Sequence, residues 1–228
     1  MSRKPLLIIA AALLAGVGSA RAQQYQGPEG LGAAVDINYY DTDFTVGSPS
    51  YDTHVTEIGF LLAQHFTPDF AVTFGAGYAR LGMSDNAAAA SFSPTGYYAR
   101  AGARYDPALF SSNFGFSFRI AADYQRVNDS NKGVDLVDHW WSYAGAVGPW
   151  VRVGDVTFEG GIVYRHASGD QDLSGKLSST EALGFAHSTN AYLGLTYHPN
   201  PDWTVALNLE GGGRKAAGVV FGYNFSSL

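Results

Sequence analysis

Phe114-Gly115-Phe116-Ser117-Phe118-Arg119-Ile120-Ala121-Ala122-Asp123-Tyr124-Gln125 is the stretch on which the fold turns. Successive side chains of a β-strand point to opposite faces, so residues two apart share one. Phe114, Phe116, Phe118, Ile120, Ala122 and Tyr124 therefore share an apolar face, and Gly115, Ser117, Arg119, Ala121, Asp123 and Gln125 share a polar one. A strand of this kind separates two environments of opposite polarity.

The same period recurs in both directions from this stretch. Leu31, Ala33, Val35, Ile37 and Tyr39 oppose Asp36 and Asn38, and Phe70, Val72, Phe74, Ala76 and Tyr78 oppose Thr73, Gly75 and Gly77. Period-2 runs predict ten strands at about 30–40, 53–66, 70–81, 95–105, 114–126, 139–153, 156–167, 187–198, 203–210 and 216–225, with eight as the alternative number. Short turns at 67–69, 106–113, 154–155 and 199–202 alternate with long connections at 41–52, 82–94, 127–138 and 168–186. Only the tight Gly211-Gly212-Gly213 link departs from this alternation. An even number of strands with short turns at one end and long connections at the other describes an all-β, antiparallel up-and-down transmembrane β-barrel.

A water-soluble barrel also alternates, and aromatic placement distinguishes the two. On the apolar face Phe70, Tyr105, Phe114, Phe158, Tyr197, Trp203 and Phe225 fall at the short-turn ends. Tyr39, Tyr78, Tyr97, Tyr124, Trp141, Tyr143 and Tyr164 fall at the other ends, with aliphatic residues between. Two aromatic belts match two membrane–water interfaces. The 228 residues contain no cysteine, and 20 acidic against 14 basic side chains give a net charge of −6. That balance argues against a nucleic-acid partner.

Arg3 and Lys4 precede an apolar run from Leu6 to Val17 that ends in Ala20-Arg21-Ala22, the order of a secretory signal. Residues 1–22 are expected to be removed on export, leaving 23–228 as one barrel domain. The last strand places Val219, Phe221, Tyr223 and Phe225 on one face. Gly-Val-Val-Phe-Gly-Tyr-Asn-Phe, residues 218–225, resembles the C-terminal assembly signal of outer-membrane β-barrel proteins, carried by Phe221, Tyr223 and Phe225. In pattern, the chain is similar to small barrels of the opacity-protein and OmpA-transmembrane-domain type. Two departures are Ser226-Ser227-Leu228 beyond the terminal aromatic and ten strands rather than eight. The resemblance implies a multi-pass protein of the bacterial outer membrane, partnered by outer-membrane lipids, lipopolysaccharide and the barrel-assembly machinery, monomeric and without a cofactor.

Parity turns Arg100, Arg104, Arg119, Arg152 and Arg165 inward together with Asp36, Glu57, Asp123, Glu159 and Glu210. A lumen lined by both signs pairs its charges, whereas an ion-selective pore presents a ring of one sign. Arg152 and Glu159 come out as diagonal neighbours across the Gly154-Asp155 turn and are expected to form a lumen salt bridge, with Arg119 and Arg104 close enough to extend it into a network. A mostly plugged lumen is expected, and nine inward glycines, among them Gly59, Gly77, Gly115 and Gly194, leave volume for long side chains. Arg80, Arg126, Arg214 and Lys215 are placed at the outer strand ends, within reach of lipid phosphates.

The long connections carry Asp41, Asp43, Asp52, Asp85, Asp129, Asp135, Asp138, Asp170, Asp172 and Glu181, and these are expected to be solvated acidic loops. Weak metal candidates are His166, His187, Asp170 and Asp172, with no third ligand fixed by spacing. His166-Ala167-Ser168 resembles the H-x-S of outer-membrane lipid A deacylases, with Glu181 as the acid a triad would need. Asp41-Thr42-Asp43 invites comparison with the ten-stranded omptin proteases, a reading rejected because the chain is read as lacking their Asp-x-His and the mature chain as too short. The function expected is therefore a non-enzymatic structural or surface-interaction barrel, with a narrow porin as the alternative and a lipid A-modifying hydrolase a distant third.

Overall fold

The computed structural model describes residues 30–83, 92–176, 178–186 and 189–225, so the expected signal segment, Asp85 and His187 lie outside the described residues. Twelve strands form one antiparallel sheet: β1 (Gly30–Val46), β2 (Ser50–Thr67), β3 (Phe70–Met83), β4 (Thr95–Tyr105), β5 (Ala108–Ser111), β6 (Phe114–Asn131), β7 (Val134–Val153), β8 (Val156–Gly175), β9 (Ser179–Phe185), β10 (Thr189–Tyr197), β11 (Trp203–Gly212) and β12 (Arg214–Asn224). Ten of them close a ring. β4 pairs with β6, β8 with β10, and β12 returns to β1 from Gly32↔Asn224 to Thr42↔Arg214. β5 is a short flap on the start of β6, and β9 is an accessory strand at the opposite end.

Closure leaves the ten-stranded ring with no free edge, so backbone donors of the wall pair with neighbouring strands, which is the condition for crossing lipid. The apolar parity faces outward: Phe60 is 72%, Ile120 66% and Leu193 64% exposed. The opposite parity is buried, as at Ser117, Asp123 and Gln125. A soluble barrel would show the reverse. Register aligns the belts, since Tyr78 lies opposite Tyr97, Tyr124 opposite Trp141, and Phe70 opposite Tyr105. The terminal aromatics join the lower belt, with Trp203, Tyr223 and Phe225 rings in successive edge contacts of 5.1 and 5.2 Å.

Of the connections expected as long loops, 41–52, 127–138 and 168–186 are largely strand, and most of 82–94 lies outside the described residues. β7 and β8 run for 20 residues each, about twice the roughly 9–11 that a tilted strand needs to span the hydrocarbon. β6 and β7 meet in a two-residue turn whose Lys132 and Gly133 have φ of 52° and 80°. Two successive positive φ values are what a twisted hairpin demands of such a turn.

Above the outer belt, β9 replaces three strands. β8 pairs with β10 up to Tyr164↔Thr189 and then with β9 from Ser168↔Gly184, while β1 leaves β12 at Thr42 and meets β9 from Phe44↔Phe185. One strand in place of β10, β11 and β12 narrows the ring, and a narrower ring is filled by side chains. Phe44, Val55, Leu81, Val127, Leu136, Trp140 and Leu183 pack there as an apolar core. Phe44 stands edge-on to Trp140 at 5.3 Å and stacks on Phe185 at 5.1 Å.

Outward parity of β6 within the lipid band predicts that Ile120→Arg costs ~2–4 kcal/mol of folding stability. Ala121→Ser, on the inner face, is expected to fold close to wild type. Urea unfolding in lipid vesicles checks the pair, and equal stabilities would reverse the parity.

Candidate functional site

The inward side chains gather into three clusters. Arg100 on β4 is the hub of the first: its Nη2 donates to Glu57 at 2.9 Å, its Nη1 to Asp36 at 3.4 Å, and its Nε to Asp123. Tyr98 OH and Asn38 Nδ2 donate to Asp36 at 2.9 and 2.8 Å, Gln125 Nε2 to Glu57 at 2.7 Å, and Ser142 Oγ to Asp123 at 3.3 Å. Tyr98 reaches Asp36 by lying over β3 and β2, where Gly59 and Gly77 oppose one another. A Cβ on Gly59 would fall 2.2 Å from the Tyr98 hydroxyl, and one on Gly77 would fall 2.7 Å from its ring. Steric room is thus the reason for glycine at these two positions.

Glu159 on β8 organises the second cluster, nearer the short-turn end. It accepts from Arg104 Nη2 at 2.9 Å and from Arg119 Nη2, while Arg104 Nε reaches Asp106 in the following turn. Arg152 is diagonal to Glu159, as the register Trp150↔Glu159 and Arg152↔Thr157 requires. The expected Arg152–Glu159 salt bridge is corrected, because Glu159 is held by Arg104 and Arg119, while Arg152 Nε donates to Thr157 at 3.3 Å and its guanidinium lies 5.8 Å from the Trp150 ring centre. Below the cluster a vestibule of about 340 Å³ opens at the short-turn end between His65, Trp150 and His198.

The third cluster joins Arg165 and Glu210, whose Nε–Oε2 contact is 3.2 Å, with Arg214 at 3.7 Å from the same carboxylate. Arg214 corrects the expectation of a lipid-phosphate contact. Its guanidinium stacks 3.6 Å over the Tyr40 ring, and its backbone N–H donates to Asn190 Oδ1 at 2.8 Å. The tight Gly212–Gly213 link turns Arg214 into the lumen, whereas Arg80, Arg126 and Lys215 stay on the exposed outer face.

All ten inward residues read from parity (Asp36, Glu57, Arg100, Arg104, Arg119, Asp123, Arg152, Glu159, Arg165 and Glu210) lie in or beside these clusters. Asp106 and Arg214 were missed, one in a turn and one at a strand start, where period-2 parity gives no direction.

The other candidates separate. His166 and Ser168 face outward on β8, but Glu181 is paired with Gln171, which points into the upper core. Glu181 and the His–Ser pair are therefore on opposite sides of the wall, and no triad forms. His139 lies 3.7 Å from Asp170 and 3.9 Å from Asp172 on the outer surface. Among the described residues no group of three or more His, Asp or Glu side chains is arranged to hold a metal. Asp52-Thr53-His54 has the Asp-x-His spacing, which corrects the reading of the chain as lacking one. Register sets Asp43 opposite Asp52 and Asp41 opposite His54, on the outer surface of the wall rather than in its interior.

No family model matches the sequence, and no curated protein matches it either. Among solved structures the chain is similar to the transport unit of the autotransporter AIDA-I from Escherichia coli, at 10% identity and a TM-score of 0.53, covering 97% of each chain. It is also similar to the translocator domain of the autotransporter NalP from Neisseria meningitidis, at 14% identity and a TM-score of 0.50, covering 96% of this chain and 94% of that one. At such identities the likeness is one of fold. The chain has the fold of bacterial outer-membrane β-barrels, as its terminal motif and belts suggested.

Asp138 on β7 lies three residues above Trp141, outside the membrane-spanning part of the strand, and is fully buried in the apolar core. Gln171 Nε2 donates to its Oδ1 at 2.8 Å, and its Oδ2 accepts no hydrogen bond. Burial pushes its carboxyl up from 3.8 to about 7, opposed by the Gln171 amide and assisted by Asp172. A folded-state value above the unfolded one means that the contribution to stability is complete below the unfolded value and is lost as pH rises through the folded one. The barrel is expected to lose on the order of 2–4 kcal/mol between about pH 4 and 8, and Asp138→Asn to flatten that slope. Thermal unfolding across this range checks the assignment, and an unchanged slope in Asp138→Asn would refute it.

Proposed function

We propose that this chain is a non-enzymatic outer-membrane barrel whose lumen is closed to steady solute flow and whose role is structural or one of surface interaction. The observation that carries this is the succession of fillings along one axis. The Glu159 cluster, the Arg100 hub and the apolar core around Trp140 occupy successive levels of the interior. A continuous water path would need at least two charge networks to part, each leaving an unpaired charge at a cost of several kcal/mol.

Above the membrane, extended hairpins present Asp41, Asp43, Asp135, Asp170 and Asp172 along their outer faces. Such a surface suits contact with cationic partners or, through divalent ions, with lipopolysaccharide phosphates. Arg80, Arg126 and Lys215 sit at headgroup height and support direct lipid contact. The barrel works as a monomer, inserted by the assembly machinery through its terminal Phe221, Tyr223 and Phe225.

A narrow porin is the second reading, and the spaces that remain between the clusters favour it. Planar-bilayer recording separates the two. The unmodified barrel is expected to show no steady single-channel conductance. Glu159→Gln strands two guanidinium groups, so stability is expected to fall by ~1–5 kcal/mol with conductance still near zero. A large, steady conductance in the unmodified barrel, shifted in ion selectivity by Glu159→Gln, would establish the porin instead.

A further inference from the structure

Between the Arg100 hub and the Arg165–Glu210–Arg214 cluster lies a chamber of about 240 Å³. A cavity of roughly 150 Å³ takes up a molecule the size of benzene, so this one has room for a small organic solute. Its two sides carry opposite charge. On the β2, β4 and β6 side, the lining carboxylates Glu57 and Asp123 share the single guanidinium of Arg100 with a third carboxylate, Asp36 of β1, behind them. On the β8, β11 and β12 side, Arg165 and Arg214 share the single carboxylate of Glu210. Each wall is left with charge that its own members do not neutralise.

Unpartnered polar atoms line the same chamber. Gln125, 2% exposed, uses its amide nitrogen on Tyr40 and Glu57, and its Oε1 accepts nothing. Tyr192, 7% exposed, has a hydroxyl without a hydrogen bond, and Arg214 Nε donates to none. A buried polar group left unpaired is costly, and several around one space point to an occupant that pairs them. The free acceptor Gln125 Oε1 lies on the strand of Asp123, and Arg214 Nε, which faces Glu210 Oε2 at 3.7 Å without a hydrogen bond, belongs to the basic side.

We infer that this chamber binds a small zwitterion, with its ammonium group against Glu57, Asp123 and Gln125 Oε1 and its carboxylate against Arg165 and Arg214, the Tyr192 hydroxyl donating to it from the Arg119 end of the chamber. A lone cation satisfies only the acidic side and a lone anion only the basic side. A molecule carrying both groups neutralises each wall without importing net charge into the lumen. Binding needs entry and not throughput, so it is independent of whether the barrel conducts.

Equilibrium dialysis of the detergent-purified barrel tests this with glycine, 3-aminopropanoate, 4-aminobutanoate and 6-aminohexanoate, against butylamine and butyrate. One length in the amino-acid series is expected to bind at least about tenfold more tightly than either singly charged control. Tyr192→Phe removes a hydroxyl that makes no hydrogen bond in the barrel and keeps the ring under Arg119, so it is expected to fold normally and bind about tenfold more weakly. Butylamine binding as tightly as the best zwitterion would reduce the chamber to a cation site and overturn the inference. So would the absence of saturable binding across the series, or unchanged affinity in Tyr192→Phe. A conducting barrel that still binds would sink the closed-lumen proposal and leave this one standing.

Discussion

Every side chain of a closed β-wall faces either outward or inward, and this two-sidedness governs the rest of the molecule. Closure satisfies the backbone without water, so the strands can cross lipid, but it also commits half of each strand to a narrow interior. Charges placed there cannot be solvated as they would be in bulk water, and they find one another. Arg100 draws in Asp36, Glu57 and Asp123 from three other strands, and Glu159 draws in Arg104 and Arg119. These contacts tie β1, β2, β4, β6 and β8 across the lumen, where no backbone hydrogen bond reaches. The glycines beneath Tyr98 belong to the same logic, since a crossing side chain needs a wall thin enough to lie on.

Parity is continuous along the long strands, while polarity inverts at the outer aromatic belt. Below it, Phe118 and Ile120 on β6 face lipid and Arg119 and Asp123 face the lumen. Above it the outward residues of β6 and β7 are Arg126, Asn128 and His139, and the inward ones are Val127, Leu136 and Trp140. Water outside and a narrowed ring inside reverse which residues are favourable on each face. β9 makes the inversion possible by replacing three strands with one, so that the space contracts to what Phe44, Leu81 and Trp140 can fill. Asp138 is the exception within that core, and its raised carboxyl pKa is the electrostatic consequence.

This inversion also explains which parts of the fold were legible in the sequence. The ten ring strands, their inward charges and the Val153/Val156 turn follow from alternation of one sign, apolar out and polar in. Residues 127–138 and 168–175 keep the period but exchange the sign, so Val127, Leu136 and Leu173 read as interruptions and the segments as loops. β9 was lost for the same reason and because its pairing with β1 joins residues far apart in the chain. Parity located the charged residues of the candidate site, but not their partners. Glu159 is taken by Arg104 and Arg119 from strands across the lumen, a choice set by ring diameter and strand stagger rather than by local spacing.

The most direct measurement is a spin-label accessibility scan of β6, which is clean because the chain contains no cysteine. Single cysteines from Phe116 to Asn128 would be labelled in lipid vesicles and probed with oxygen, which concentrates in lipid, and with a water-soluble nickel complex. Labels at Phe118, Ile120 and Ala122 are expected to be oxygen-accessible, those at Arg126 and Asn128 nickel-accessible, and those at Gln125 and Val127 shielded from both. A label at Val127 as open to nickel as one at Asn128, or labels at Phe118 and Ile120 lying in water, would contradict the account of one continuous wall with two opposite interiors.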